Sequence, residues 1–401
     1  MSRANAFPAK RLFRRNEVSR RFFAAEAERL ARACRDMATR FARGGRLLAF
    51  GVGNAITDAQ HVAVEFVHPV VVGKRALPAR DVSSRYCAYL TALVGADDVV
   101  MGFDSRSTDP AVARALAMAR SRGALTFALA GETGDYAIGV IDSDPFVHQE
   151  MVEILYHTLW ETVHVFLDHR TSFGQDVGAA GFLYPFLGTA GAETEVLLAD
   201  VASSIRAKAR EDERLREEVA HRDGDRIIAL VKALAERLAA GGKLLMLGNG
   251  GSATDATDWA LDCIDSPKGH PPIPALSLAD DMATITAVAN DVGQDATFAR
   301  QLIAHSQPSD AVIAITTSGN SANIAAALSE ARRRGLLTVA LTGYDGGEIV
   351  RRELADHAIV VPSDYIPRIQ EIHASIYHVI TDLLAAGDAM GPDDADDLQG
   401  V

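Results

Sequence analysis

The sequence predicts an α/β fold built twice: two tandem domains, each a doubly wound parallel sheet flanked by helices in a flavodoxin-like arrangement. Three observations predict it. The stretch GNGGSATDATDWALD at Gly248 to Asp262 has a gapless counterpart, GVGNAITDAQHVAVE, at Gly51 to Glu65. Each copy follows a long helical pattern, a Gly-Gly break and a short apolar run: GGRLLAFGVGN in the first half, GGKLLMLGNGG in the second. Further short apolar runs then alternate with helical patterns, as expected of βαβ units whose strands are buried on both faces.

In chain order, the first half opens with arginines (Arg3, Arg11, Arg14, Arg15, Arg20, Arg21) that lack the apolar core of a secretory signal and read as a segment leading into a helix. A helix follows over roughly Asn16 to Ala42, then the strand before GVGN, then the runs DDVVMGF, LTFALAG and YAIGVID with a helix over Asp109 to Gly123. The second half repeats the order: a helix over Glu193 to Ala240, the strand before GNGG, then IPALSL, DAVIAITTSG, LTVALTG and HAIVVP, with a helix over Ser321 to Gly335. These elements place the domains at 1–172 and 193–386, joined by a glycine-interrupted linker at 173–192. The tail, 387–401, carries five aspartates and is expected to be disordered.

Composition excludes several classes. A chain of 401 residues with 48% hydrophobic and 23% charged residues is long enough for two domains with their own cores. A net charge of -13 argues against a general nucleic-acid binder, which needs a basic face to displace phosphate counterions. No run approaches the roughly 18 apolar residues of a membrane span, so no membrane partner is expected. Cys34, Cys87 and Cys263 form neither a disulfide framework nor a zinc-finger spacing, which makes a cytoplasmic location the simplest expectation.

The strongest local signal is a phosphate loop. After the strand AVIAI come Thr316, Thr317, Ser318, Gly319, Asn320 and Ser321, then a helix. Hydroxyls and backbone N–H groups at a helix N-terminus bind an anion without net positive charge. The plainer alternative is that Ser318 or Ser321 merely caps the helix. A second turn of the same kind, Asn249, Gly250 and Ser252 in GNGGS, also lies between a strand and a helix, where α/β sheets bind ligands.

With these motifs in order, GNGGS, ITTSGNSAN, LTGYDGGE and RIQEIH, the region from about 195 to 386 resembles the sugar isomerase (SIS) domain of the phosphoheptose isomerase family, which converts sedoheptulose 7-phosphate to a heptose phosphate. The resemblance implies that Ser252, Thr316, Thr317, Ser318 and Ser321 hold the sugar phosphate. It also implies zinc, no nucleotide cofactor, and a homotetramer with active sites at subunit interfaces. The family's metal and acid/base pattern is a His and a Glu four apart after GNGGS, and a Gln and a His eight apart on the last helix.

The halves keep different parts of that pattern. The second has Gln370 and His378, but Asp258 and Asp262 stand where the His and Glu belong. The lost imidazole and shortened carboxylate argue against a metal there. The first has His61 and Glu65 at the matching offsets from Gly51, on one helical face, and Gln149 and His157 at the eight-residue interval. By resemblance His61, Glu65, Gln149 and His157 are metal ligands, and Glu65 and His157 transfer protons. The first half has lost the phosphate loop: Asp104 and Asp109 stand where phosphate oxygens would sit, and Asp109 before Pro110 reads as an N-cap. It also has no counterpart of Thr286 to Asp295.

Aldose–ketose isomerisation through an enediolate needs a base near the carbon, an acid or metal at the oxygens and a grip on the distant phosphate. The leading expectation is a composite inter-domain site joining the first-half metal residues to the second-half phosphate loop, in a homodimer of fused chains that mimics a tetramer. Alternatives stay open. The second half could act alone through Asp262, Asp291, Gln370 and His378. The chain could be a noncatalytic sugar-phosphate regulator, like the DnaA-initiator-associating proteins whose LTGYDGGE and RIQE segments look similar. It could also act on another ketose phosphate.

Overall fold

The computed structural model describes residues 6–70, 74–105, 109–171 and 194–387. Two compact units emerge: residues 14–214, and residues 1–13 together with 215–401. The expected linker at 173–192 and the tail beyond Gly387 lie outside the described residues, as do Arg3, Arg106, Ser107 and Thr108. The units therefore divide within two long helices, α1 (Ala6–Ala42) and α6 (Thr194–Ala239).

In the unit 14–214, α1 is followed by β1 (Leu47–Val52), α2 (Ile56–Val67), β2 (Ala79–Asp81), α3 (Tyr86–Leu93), β3 (Val99–Asp104), α4 (Pro110–Ser121), β4 (Leu125–Leu129), β5 (Tyr136–Ile138) and α5 (Pro145–Thr171). The strands are all parallel, in the order β2-β1-β3-β4-β5. Side chains alternate across the sheet: Leu47, Ala49, Val99 and Met101 join a core with α1, α2 and α5, and Leu48, Phe50 and Val100 join another with Val112 and Leu116 of α4.

The second unit contains β6 (Leu244–Gly248), α7 (Gly251–Ile264), β7 (Ala275–Ser277), α8 (Met282–Asp291), α9 (Thr297–His305), β8 (Ala311–Thr316), α10 (Ala322–Arg333), β9 (Leu337–Thr342), α11 (Gly347–Arg351), β10 (His357–Val360) and α12 (Ile366–Ala385). Its parallel order, β10-β9-β8-β6-β7, is the same topology. Both sheets are doubly wound, with the strand order reversing between the first and third strands of each. The added length of the second repeat is α8 and the turn after it, where Thr286 to Asp295 falls.

The arginine-rich start is already helical, because α1 begins at Ala6 rather than near Asn16. Its charges hide the pattern from the sequence: most have acidic partners in the fold. Arg15 is buried and its Nε lies 2.8 Å from both carboxylate oxygens of buried Glu150. Arg14 pairs with Asp142 and Arg20 with Glu213, both at 2.7 Å, while in the other unit Arg11 pairs with Asp382.

Candidate functional site

In the second unit β6 pairs with β8 in a register that sets Gly248 opposite Ile315, so the GNGGS and TTSGNS turns leave the sheet side by side at the switch point. Each turn opens directly into a helix, α7 or α10. Ser321 occupies the N-cap position of α10, yet its side chain makes no capping hydrogen bond, so capping does not account for its hydroxyl. Among the described residues, Ser318 Oγ accepts only a local bond from Asn320 N–H, at 3.3 Å. Thr316 and Ser252 are buried at the roots of the turns, and Thr317, Ser318 and Ser321 are half-buried.

A third segment holds the TTSGNS turn from behind. Gly343 N–H donates to Thr317 O at 2.8 Å, Ile349 N–H to Gly319 O at 3.2 Å and Glu348 N–H to Asn320 Oδ1 at 3.0 Å. The approach requires glycine on both sides: a Cβ on Gly319 would lie 2.2 Å from Gly346 O, and one on Gly347 would lie 2.4 Å from Ser318 O. LTGYDGGE thus serves to position the loop.

The sequence motifs left Asn323 unassigned. Asn249 Nδ2 donates to Asn323 Oδ1 and Asn323 Nδ2 donates to Asn249 Oδ1, both at 2.9 Å, which ties the two turns across the switch point. The signal was available in the repeat: the first half has Val52 and Ala111 at these positions.

In the first unit, α2 and α5 bring His61, Glu65 and His157 together, all buried, with their ligand atoms within 4.8 Å of one another. His61 Nε2 lies 3.3 Å from His157 Nε2 and 3.8 Å from Glu65 Oε1. Trp160, one turn beyond His157, donates its indole N–H to the Glu65 carbonyl and locks the two helices. Gln149 lies two turns earlier on α5; its Nε2 donates to Asp58 Oδ1 at 3.1 Å, and its buried Oε1 has no hydrogen-bond partner among the described residues.

This donor set fits a divalent metal. Two ligands about 2.05 Å from a tetrahedral ion are separated by about 3.3 Å, which is the spacing of the two imidazole nitrogens. Two imidazoles and one carboxylate suit zinc or a similar ion, and the amide of Gln149 reaches α2 at Asp58, one turn before His61.

The second unit builds the equivalent cluster differently. Asp258, Asp262 and His378 also converge, buried, with ligand atoms within 4.8 Å, which brings together Asp262 and His378 of the second-half alternative. Here the groups satisfy one another: His378 Nε2 lies 3.1 Å from Asp262 Oδ2, and Tyr377 O–H donates to Asp258 Oδ2 at 2.8 Å. Gln370 is buried on α12, while Asp291 is exposed at the end of α8, bonded to its neighbour Asn290, and takes no part in the cluster. At the first unit's switch point, Asp109 caps α4 by accepting from Ala111 N–H at 2.7 Å, with Pro110 in the first turn. Asp104 is buried and accepts from Asp109 N–H.

Twin switch-point sheets, one with serine-rich turns and the other with a helix-borne imidazole–carboxylate cluster, define a tandem doubly wound α/β protein. A family model for the SIS domain matches residues 209–343. The phosphoheptose isomerase of Chlorobaculum tepidum is 45% identical over 175 residues, 43% of this chain and 83% of that protein. That of Geobacter sulfurreducens is 42% identical over 189 residues, 47% of this chain and 97% of that protein. The C-terminal domain of glucosamine-fructose-6-phosphate aminotransferase from Francisella tularensis shares the tandem fold, with a TM-score of 0.61 at 9% identity over 94% of both chains. The chain belongs to the SIS-domain family, with relatives among the phosphoheptose isomerases.

Proposed function

We propose that this protein is a sugar-phosphate aldose–ketose isomerase that converts sedoheptulose 7-phosphate to a heptose 7-phosphate through an enediolate. The observation that carries the reading is the pairing of β6 with β8, which aligns two serine-bearing turns at helix N-termini. Asn249, Gly250, Ser252, Thr316, Thr317, Ser318 and Ser321 supply neutral donors to a phosphate dianion, and the helix dipoles add to their field. An acidic protein needs such a local device.

We assign His61, Glu65, Gln149 and His157 to one divalent metal, zinc by its donor types. When bound, the ion would act as a Lewis acid toward the sugar's carbonyl and hydroxyl oxygens. Glu65 and His157 are assigned to the proton transfers: one proton leaves carbon 1 of the ketose and one returns at carbon 2, with no net oxidation. Their burial keeps bulk water from exchanging freely with the proton in transit.

The division of residues between the repeats supports a further step: one sugar phosphate requires both sets. The corresponding assembly is a dimer of fused chains, which light scattering would read. Incubating the metal-loaded protein with sedoheptulose 7-phosphate and detecting the aldose product tests the activity. Phosphate binding without turnover would favour the noncatalytic regulator instead.

A further inference from the structure

Asn323 makes four hydrogen bonds, and together they fix which way its amide faces. Its Oδ1 accepts from the Ile324 backbone N–H at 3.0 Å, and a backbone N–H can only donate, so that atom must be oxygen. Its Nδ2 lies 3.3 Å from Thr297 Oγ1, whose own proton goes to Gln294 O at 3.0 Å, so Thr297 accepts. The remaining lone pair and the remaining proton of Asn323 both go to Asn249, at 2.9 Å each.

This arrangement transmits an orientation. Asn323 is buried, whereas Asn249 is exposed at the mouth of the crevice. Because the buried amide is fixed by the start of α10 and the start of α9, the exposed amide can satisfy it in only one of its two orientations. An amide nitrogen carries two protons. Asn249 spends one on Asn323, and no hydrogen bond among the described residues uses the second.

We propose that Asn323 is a positioning residue: it holds Asn249 with the free Nδ2 proton, rather than the carbonyl, directed to the phosphate of the bound sugar, and fixes the spacing of the two turns. The first repeat provides an internal comparison. It has Val52 in place of Asn249 and Ala111 in place of Asn323, and it is the repeat whose loop carries Asp104 and Asp109 instead of the serine-rich turn. Both halves of the clasp are absent where the phosphate loop is absent. The inference rests on the proposed phosphate site of the second unit.

The test is calorimetric titration of the intact protein with inorganic phosphate, for wild type and for Asn249→Ala, Asn323→Ala and the double variant, with thermal melting as a control. Each single variant is expected to weaken binding about tenfold, and the double variant by no more than the worse single, because the two act through one pair. Asn323→Asp keeps both acceptor interactions and supplies a variant should Asn323→Ala fail to fold. Its lost donor and added charge should weaken binding at least as much, with partial recovery as pH falls toward its carboxyl pKa. Wild-type affinity in Asn323→Ala or Asn323→Asp, or strictly additive losses in the double variant, would overturn the inference. No phosphate binding by wild type would overturn the phosphate site itself, and this inference with it.

Discussion

His61 and His157 face each other across α2 and α5 with their Nε2 atoms 3.3 Å apart, the separation that two ligands of one tetrahedral ion require. Without an ion the contact is a single imidazole–imidazole hydrogen bond in a buried site. With one bound, both neutral rings would offer it a lone pair, and Glu65 and Gln149 would complete the set.

Elemental analysis of the purified protein should therefore find close to one divalent metal per chain, lost on chelation. His61→Ala and His157→Ala should each reduce metal occupancy at least tenfold under dialysis, whereas Asp258→Ala and His378→Ala should leave it unchanged. Metal that survives His61→Ala but not His378→Ala would move the site to the second unit.

Gly347→Ala should disturb the phosphate loop without touching the ligand. A Cβ there would meet Ser318 O at 2.4 Å and Gly319 C at 2.6 Å, backbone atoms that cannot rotate away, and φ at this residue is +56°. A loss of about 1–3 kcal/mol in stability and about tenfold weaker phosphate binding are expected. Denaturant melts with phosphate titration check both.

The buried Arg15–Glu150 pair should behave asymmetrically. Glu150→Ala takes the paired carboxylate from a buried guanidinium and should cost about 3–5 kcal/mol, whereas Arg15→Met with Glu150→Leu should recover most of the loss. A single variant as stable as wild type would contradict the burial of this pair.

Acid should weaken the fold through His373. Burial on α12 holds its pKa down to about 4; Nε2 lies 3.1 Å from the Thr342 carbonyl, and Nδ1 has no partner among the described residues. The unfolded chain, near 6.5, binds the proton first, so stability is full above about pH 6.5 and falls as pH drops toward 4. His373→Gln should flatten that part of the stability–pH curve, measured by denaturant midpoints.

The doubled sheet was legible because strands buried on both faces leave unbroken apolar runs, and the first strand of each half follows a Gly-Gly break; LLAFGV and LLMLG became β1 and β6. The matched offsets also brought His61, Glu65 and His157 to one cluster. The start of α1 was hidden because its arginines are neutralised by distant carboxylates that no local pattern reveals. Asn323 escaped for a related reason: its role depends on Asn249, 74 residues away, across the switch point. The Tyr377–Asp258 and His378–Asp262 contacts likewise depend on α7 meeting α12.

The most direct measurement is the rate of aldose formation from sedoheptulose 7-phosphate by the metal-loaded protein, compared with His61→Ala and Ser318→Ala. The account predicts turnover by wild type and at least a hundredfold loss of kcat/KM in both variants, or about 2.7 kcal/mol of transition-state stabilisation. Turnover that survives His61→Ala, or none by wild type with saturating metal, would contradict it.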